Sequence, residues 1–187
     1  MGPGRALITG GGGFIGAWIA RALLAGGMQV RIFDLGENRR TVHSIIGPPA
    51  DALDWITGDV AAAGALADAA RGCTLLVHLA AVLTPACSAD PLRGAEINLL
   101  GTQRAFHAAA ANGIRTVLYM SSAGVFGPDS GREPRPTTFY GACKLGAEHL
   151  ASAWWHERGI ASLGFRPLVV YGPGREGGLT ADATLAC

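Results

Sequence analysis

The sequence predicts an α/β fold organised around one doubly wound parallel sheet, and three observations carry that reading. Short apolar runs alternate with segments of helical periodicity along the whole chain. The apolar runs are nearly continuous, as suits strands covered on both faces. A cluster of glycines stands directly between the first run and the first helix. Right-handed crossovers then place every strand's carboxyl end, and any ligand crevice, on one edge.

Taken in order, Ala6-Leu7-Ile8 is a strand, Gly10 to Gly13 a turn, and Phe14 to Ala25 a helix with apolar residues at helical spacing. Gln29 to Phe33 forms a second strand ending at Asp34, and Arg39 and Arg40 read as a solvated helix start. Trp55-Ile56-Thr57 and Thr74 to Leu79 are strands three and four, separated by an alanine-rich helix over Ala62 to Ala70. A long helix spans Pro91 to Ala111, Arg115 to Met120 is the fifth strand, Thr138 to Glu157 a second long helix, and Ala161 to Arg166 the sixth strand. No repeat and no linker divides the chain, so residues 1–187 are read as one domain.

Strand, glycine turn and helix in succession suit a phosphate. Glycine lets the backbone come close, and the free N–H groups at the helix start face the anion. Two spacings fit: Gly11, Gly13 and Gly16, or the wider Gly10, Gly13 and Gly16. Asp34, eighteen residues after Gly16, can accept hydrogen bonds from an adenosine ribose, and its charge would repel a 2′-phosphate, which points to NAD over NADP.

Composition narrows the classes. The 187 residues are 49% hydrophobic and 16% charged with a formal net charge of +1, so no basic field advertises nucleic acid. No apolar stretch is long enough to predict a membrane span. Cys73, Cys87, Cys143 and Cys187 lack C-x-x-C spacing, and a reduced, cytoplasmic protein without a metal is expected.

Tyr140 and Lys144 lie four apart, on one face of a helix. A phenol near pKa 10 is a weak base, and an ammonium about 4 Å away favours phenolate by at most about 4 kcal/mol at an effective dielectric near 20. The expectation is a Tyr140 brought toward neutrality by Lys144.

Thr9 to Gly16, Gly58-Asp59-Val60, His78-Leu79-Ala80-Ala81, Asn98 with Gly101-Thr102, Ser121 to Gly127, Tyr140 to Lys144, Arg166-Pro167 and Tyr171 to Gly174 occur in that order. In this the chain resembles the extended short-chain dehydrogenase/reductase family, and within it the NAD-dependent epimerase/dehydratase branch, over essentially its whole length. The resemblance implies a Rossmann-like NAD-binding domain. It also implies a cofactor site drawn from Gly10, Gly13, Phe14, Ile15, Gly16, Asp34, Asp59, Val60, Leu79, Ala80, Ala81, Asn98, Lys144 and Arg166. Ser122 is implied as the hydroxyl that orients the reacting oxygen, with Tyr140 as base and Lys144 tuning it, whereas His78 is expected to be a buried structural imidazole.

Related sugar 4,6-dehydratases follow the catalytic hydroxyl with an acidic pair, where this chain has Ala123 and Gly124; elimination is therefore disfavoured. Reversible oxidation of a secondary alcohol remains, by an epimerase or a net dehydrogenase, on a small-molecule substrate such as a nucleotide sugar or polyol. Relatives continue past the Tyr171 to Gly174 loop, so the C-terminal substrate-binding region is expected to be missing, with Leu179 to Cys187 the first turns of a helix cut short. Val82 to Pro91, Gly124 to Phe139 and Tyr171 to Thr180 would remain to touch substrate. Two other readings stay open: a cofactor-binding module without turnover, or an interaction protein. A homodimer through the two long helices is expected in either case.

Overall fold

The computed structural model describes residues 4–175, and the reading of 179–187 as a helix start lies outside them. Six parallel strands form one sheet in the order β3-β2-β1-β4-β5-β6. They are β1 (Arg5–Thr9), β2 (Gln29–Asp34), β3 (Asp54–Thr57), β4 (Leu75–His78), β5 (Thr116–Met120) and β6 (Ala161–Phe165). The order reverses between β1 and β4, and that switch point opens a crevice at the carboxyl edge.

Alternate residues of each strand feed two cores. Leu7, Phe33, Leu76 and Val117 point to the face covered by α3 (Ala65–Ala69) and α6 (Gly101–Ala111), where Phe106 is fully buried. Ile8, Ile32 and Val77 point to the other face, against α1 (Phe14–Ala25) and α2 (Arg39–Ile46). Every residue of β6 is exposed, including Leu163 and Phe165, so the sheet's last strand is covered on neither face among the described residues.

Two helical features depart from the sequence reading, whereas Arg39 and Arg40 stand at a helix start as that reading has them. That helix has eight residues and is N-capped by Asn38. Thr84–Ala89 forms α4, with Pro85 in its first turn where a missing N–H costs nothing. The long helix predicted from Pro91 to Ala111 begins with α5 (Pro91–Ala95), widens into a π-turn over Glu96–Leu100, and continues as α6. The π-turn holds Asn98, whose fully buried amide bonds both backbone groups of Val82, accepting from its N–H at 3.0 Å and donating to its carbonyl at 2.9 Å. The second long helix, α7 (Phe139–Arg158), is capped by the Thr138 hydroxyl, which accepts from the Gly141 N–H. Among the described residues no helix is long and apolar enough to cross a membrane.

Candidate active site

The glycine turn is set by contacts with β4, and these distinguish the two spacings. Gly10 adopts φ +69°, and a Cβ there would stand 2.8 Å from the Ala80 nitrogen. Gly13 is the extended N-cap of α1, and a Cβ on Gly16 would meet the Gly10 carbonyl oxygen at 2.6 Å. Gly11 instead faces the core, where a Cβ would come within 2.8 Å of the Ile32 side chain. The wider set, Gly10, Gly13 and Gly16, therefore shapes the turn, while Gly11 packs beneath it.

A cleft of about 390 Å³ opens over this turn. Gly10 and Gly13 line it together with Asp34 from β2, Asp59 and Val60 after β3, and Leu79, Ala80 and Ala81 after β4. The cradle suits an extended dinucleotide: side-chain bulk is absent at the turn, backbone donors stand at a helix N-terminus, and apolar walls flank a carboxylate. Asp34 also braces the turn, accepting from the Gly12 N–H at 2.9 Å and from the Leu35 N–H at 2.8 Å. Asp59 accepts from the Ala61 N–H and pairs with Arg93 of α5. The Ala61 bond outweighs burial, and with Arg93 it holds the Asp59 carboxyl below its ordinary range.

Phe14, Ile15, Gly16, Asn98, Lys144 and Arg166, also expected at the cofactor, are not among the residues lining this cleft, although Phe14 and Ile15 keep their backbone at the N-terminus of α1. Phe14 and Ile15 face a separate apolar groove on the outer side of α1, shared with Trp18 and Tyr171. Asn98 stands behind Val82, holding that lining residue by its backbone. Arg166 is held by a bidentate ion pair with Glu148 of α7, its guanidinium 5.1 Å from the Phe126 ring centroid. Its charge is satisfied there, outside the cleft lining.

Beside the cleft, at the carboxyl end of β5, Ser122 N-caps a short 3-10 turn over Ala123–Val125, its hydroxyl accepting from the Gly124 N–H at 3.0 Å. Tyr140 comes from the first turn of α7, near enough to the Ser122 hydroxyl for that group to act on its phenol. Gly124 packs between them, and the Gly124 carbonyl meets Gly141 so closely that no side chain fits at 141. Lys144 is buried, donates to the Met120 carbonyl at 2.7 Å, and stands 5.7 Å from the Tyr140 ring centroid.

The expected electrostatics of this pair need correction. Burial pushes the Tyr140 phenol above its ordinary value, with the Ser122 hydrogen bond pulling the other way. Burial also lowers Lys144 to about 8. Without ligands the lysine thus loses its proton before the tyrosine, the reverse of the sequence expectation. The reason is that both groups are desolvated by the packing of α7 on the sheet, while the ammonium is turned to a carbonyl.

His78 is buried, as expected, and hydrogen-bonds through Nδ1 to the Thr9 hydroxyl at 2.8 Å. Burial, then the nearby Lys144 charge, lowers it to about 3, so it is neutral at physiological pH. The same Thr9 oxygen accepts from the Leu79 and Ala80 N–H groups, which fixes the backbone that Gly10 touches. Sequence reasoning passed over Thr9 and Glu148; the signal for Thr9 was a hydroxyl at a strand end directly before the turn. Among the described residues no cluster of His, Cys, Asp or Glu could hold a metal ion.

Residues 6–185 match the family model of the NAD dependent epimerase/dehydratase family. The chain is 29% identical over 185 residues to a 3-beta-hydroxysteroid dehydrogenase from Mycolicibacterium neoaurum, covering 91% of this chain and 49% of that protein. The solved UDP-N-acetylglucosamine 4-epimerase from Methanobrevibacter ruminantium M1, in complex with UDP-N-acetylmuramic acid, superposes with a TM-score of 0.81 at 26% identity, covering 97% of this chain and 60% of that one. MoeE5 in complex with UDP-glucose and NAD superposes at 0.77 with 32% identity, covering 91% of this chain and 56% of that one. The chain spans about half the length of the curated relatives it matches.

Proposed function

From the premise that this chain belongs to the NAD-dependent epimerase/dehydratase family, we propose that it serves reversible oxidation of a secondary alcohol on a nucleotide sugar or related polyol, with Tyr140 as the base. The observation that carries the reading is the convergence of Ser122, Tyr140 and Lys144 at the end of β5, one strand from the glycine-lined cleft.

NAD, when bound, supplies the hydride acceptor. Gly10, Gly13 and the start of α1 would hold its pyrophosphate, and Asp34 its adenosine ribose. With substrate in place the single Ser122 O–H turns from the phenol to the substrate oxygen, and Tyr140 takes the substrate's hydroxyl proton as the C–H bond breaks. Because burial holds the phenol high, the base forms only when polar groups replace the water that packing has removed. Lys144, poised near 8, is the cation that then favours phenolate. No carboxylate follows Ser122, since Ala123 and Gly124 occupy those positions, which favours epimerisation or simple oxidation over loss of water.

The nucleotide-sugar assignment leans on the two solved neighbours with UDP-linked ligands. The steroid dehydrogenase relative favours a second reading, a net alcohol dehydrogenase with a non-sugar substrate. The three free cysteines among the described residues suit a reducing, cytoplasmic setting, and a homodimer through α6 and α7 is part of the same reading.

The test is to titrate NAD and NADP by calorimetry, then follow nicotinamide absorbance with UDP-sugars and 3β-hydroxysteroids. Turnover that Tyr140→Phe abolishes while NAD affinity stays within about threefold supports the mechanism. Undiminished turnover in that variant refutes it. Binding without turnover on any alcohol identifies a cofactor-binding module instead.

A further inference from the structure

Resting on the reading of Tyr140 as base, we propose that Glu148 is a positioning residue for the reaction, fixing through Ser121 and Arg166 the backbone shelf that presents the Ser122 hydroxyl to Tyr140.

Glu148 follows Tyr140 and Lys144 on α7 at successive spacings of four, so all three share one side of the helix. Its carboxylate accepts from the Ser121 hydroxyl at 2.5 Å and from the Arg166 Nε at 2.7 Å through Oε1, and from Arg166 Nη2 through Oε2. Ser121 is 1% exposed and is the residue immediately before Ser122. On the other side, the Ala123 N–H donates to the Pro167 carbonyl at 2.9 Å, and Pro167 directly follows Arg166. Ser122 is thus gripped from both flanks. The preceding residue is held by Glu148, and the following one by the strand end that Glu148 anchors through Arg166.

Stability alone is a poor account of this arrangement. A partly buried carboxylate costs something to desolvate, and well-packed apolar groups in place of a buried ion pair are often neutral or stabilising. Burial works to raise the Glu148 carboxyl, yet the bonds from Arg166 and Ser121 outweigh it and hold it below its ordinary range. What the charge supplies that apolar packing does not is direction. A bidentate fork and a short hydroxyl bond fix the end of β5 and the end of β6 in one register against the helix that carries the base.

The test reads Tyr140 directly and needs no substrate. Phenolate absorbance is titrated in the NAD-bound protein for wild type, Ser121→Ala, Ser121→Thr, Glu148→Gln and the direct benchmark Ser122→Ala. Subtracting the same background carrying Tyr140→Phe isolates Tyr140 from Tyr119 and Tyr171. The expected result is that Ser121→Ala and Glu148→Gln move the Tyr140 midpoint upward by at least about half of what Ser122→Ala does, because the Ser122 hydrogen bond is loosened. Ser121→Thr, which keeps the hydroxyl, leaves the midpoint in place, and NAD affinity stays within about threefold throughout. On any substrate found for the wild type, the first two variants lower kcat about tenfold with KM little changed.

Wild-type midpoints in both variants alongside a lowered Tm would make the network a structural brace and overturn the proposal. If Glu148→Gln does not fold, Ser121→Ala decides alone. Should Tyr140→Phe retain turnover, the base assignment fails, while the titrations still report whether Glu148 sets the bond between Ser122 and Tyr140.

Discussion

Replacing Lys144 with methionine should make the ligand-free protein more stable at neutral pH. Lys144 is 3% exposed, and burial brings its pKa from 10.5 to about 8. Each pKa unit corresponds to about 1.4 kcal/mol, so holding the ammonium in place costs the folded state about 3 kcal/mol at pH 7. Methionine nearly matches the lysine stem but lacks the terminal amine, so the bond to the Met120 carbonyl is lost, a deficit of about 1 kcal/mol. The net gain is about 2 kcal/mol, or about 4–8 °C in Tm for a domain of this size.

The pH dependence makes the argument testable. Because the folded-state value lies below the unfolded one, the unfolded chain binds more protons between about pH 8 and pH 10.5, and wild-type stability climbs with pH across that window. Below it both states are protonated and the full penalty stands; above it the penalty is gone. The variant carries no such group, so its advantage at pH 7 should have nearly vanished by pH 10. Urea unfolding of both proteins at pH 7 and pH 10, without NAD, measures the gap at each. A variant less stable than wild type at pH 7, or a gap that does not shrink with pH, would falsify the claim that a strained, buried ammonium sits beside Tyr140.

Other substitutions probe the cleft. Gly10→Ala forces a side chain into φ +69° and against the Ala80 backbone, so it should destabilise by about 3 kcal/mol in urea unfolding and weaken NAD at least tenfold by calorimetry. Asp34→Ala removes both the brace on Gly12 and the charge that repels a 2′-phosphate. NAD affinity should fall about tenfold while NADP is less affected, since Arg39 is already engaged by Glu37 and lies over Trp55; an unchanged ratio would reduce Asp34 to a turn anchor. Asn98→Leu leaves the N–H and carbonyl of Val82 without their partner, for a loss of about 2–4 kcal/mol seen as a lower urea midpoint.

What the sequence discloses and what it withholds divide along a physical line. All six strands were legible because each is a short segment, apolar or alternating, between turn signals, and the helix over Phe14–Ala25 because its period is local. The glycine turn and Asp34 were legible from their place at the ends of the first two strands, whereas Asp59, Val60, Leu79, Ala80 and Ala81 were named only through the family resemblance; all of them line the cleft. The choice between Gly10 and Gly11 was not legible, because it depends on Ala80 and Ile32, residues that reach the turn only through sheet pairing. Arg166 was placed at the cofactor, yet it is satisfied by Glu148 eighteen residues away, whereas Asn98 anchors the backbone of Val82, a cleft-lining residue sixteen positions before it. The π-turn that carries Asn98 could not be read from helical period alone.

The protonation of the dyad belongs to a further level still. A spacing of four says that Tyr140 and Lys144 can meet; it says nothing of how much water is left when they do. Taking the ammonium as a fixed stabiliser predicts a lowered phenol, but burial acts on both partners and moves them in opposite directions, the phenol up and the ammonium down. Any account of proton removal here must therefore begin from a pair whose resting order is inverted. Ligand binding has to supply the polarity that folding took away, and the Ser122 hydroxyl, held in place from both flanks, is the one group already pulling the phenol in the required direction.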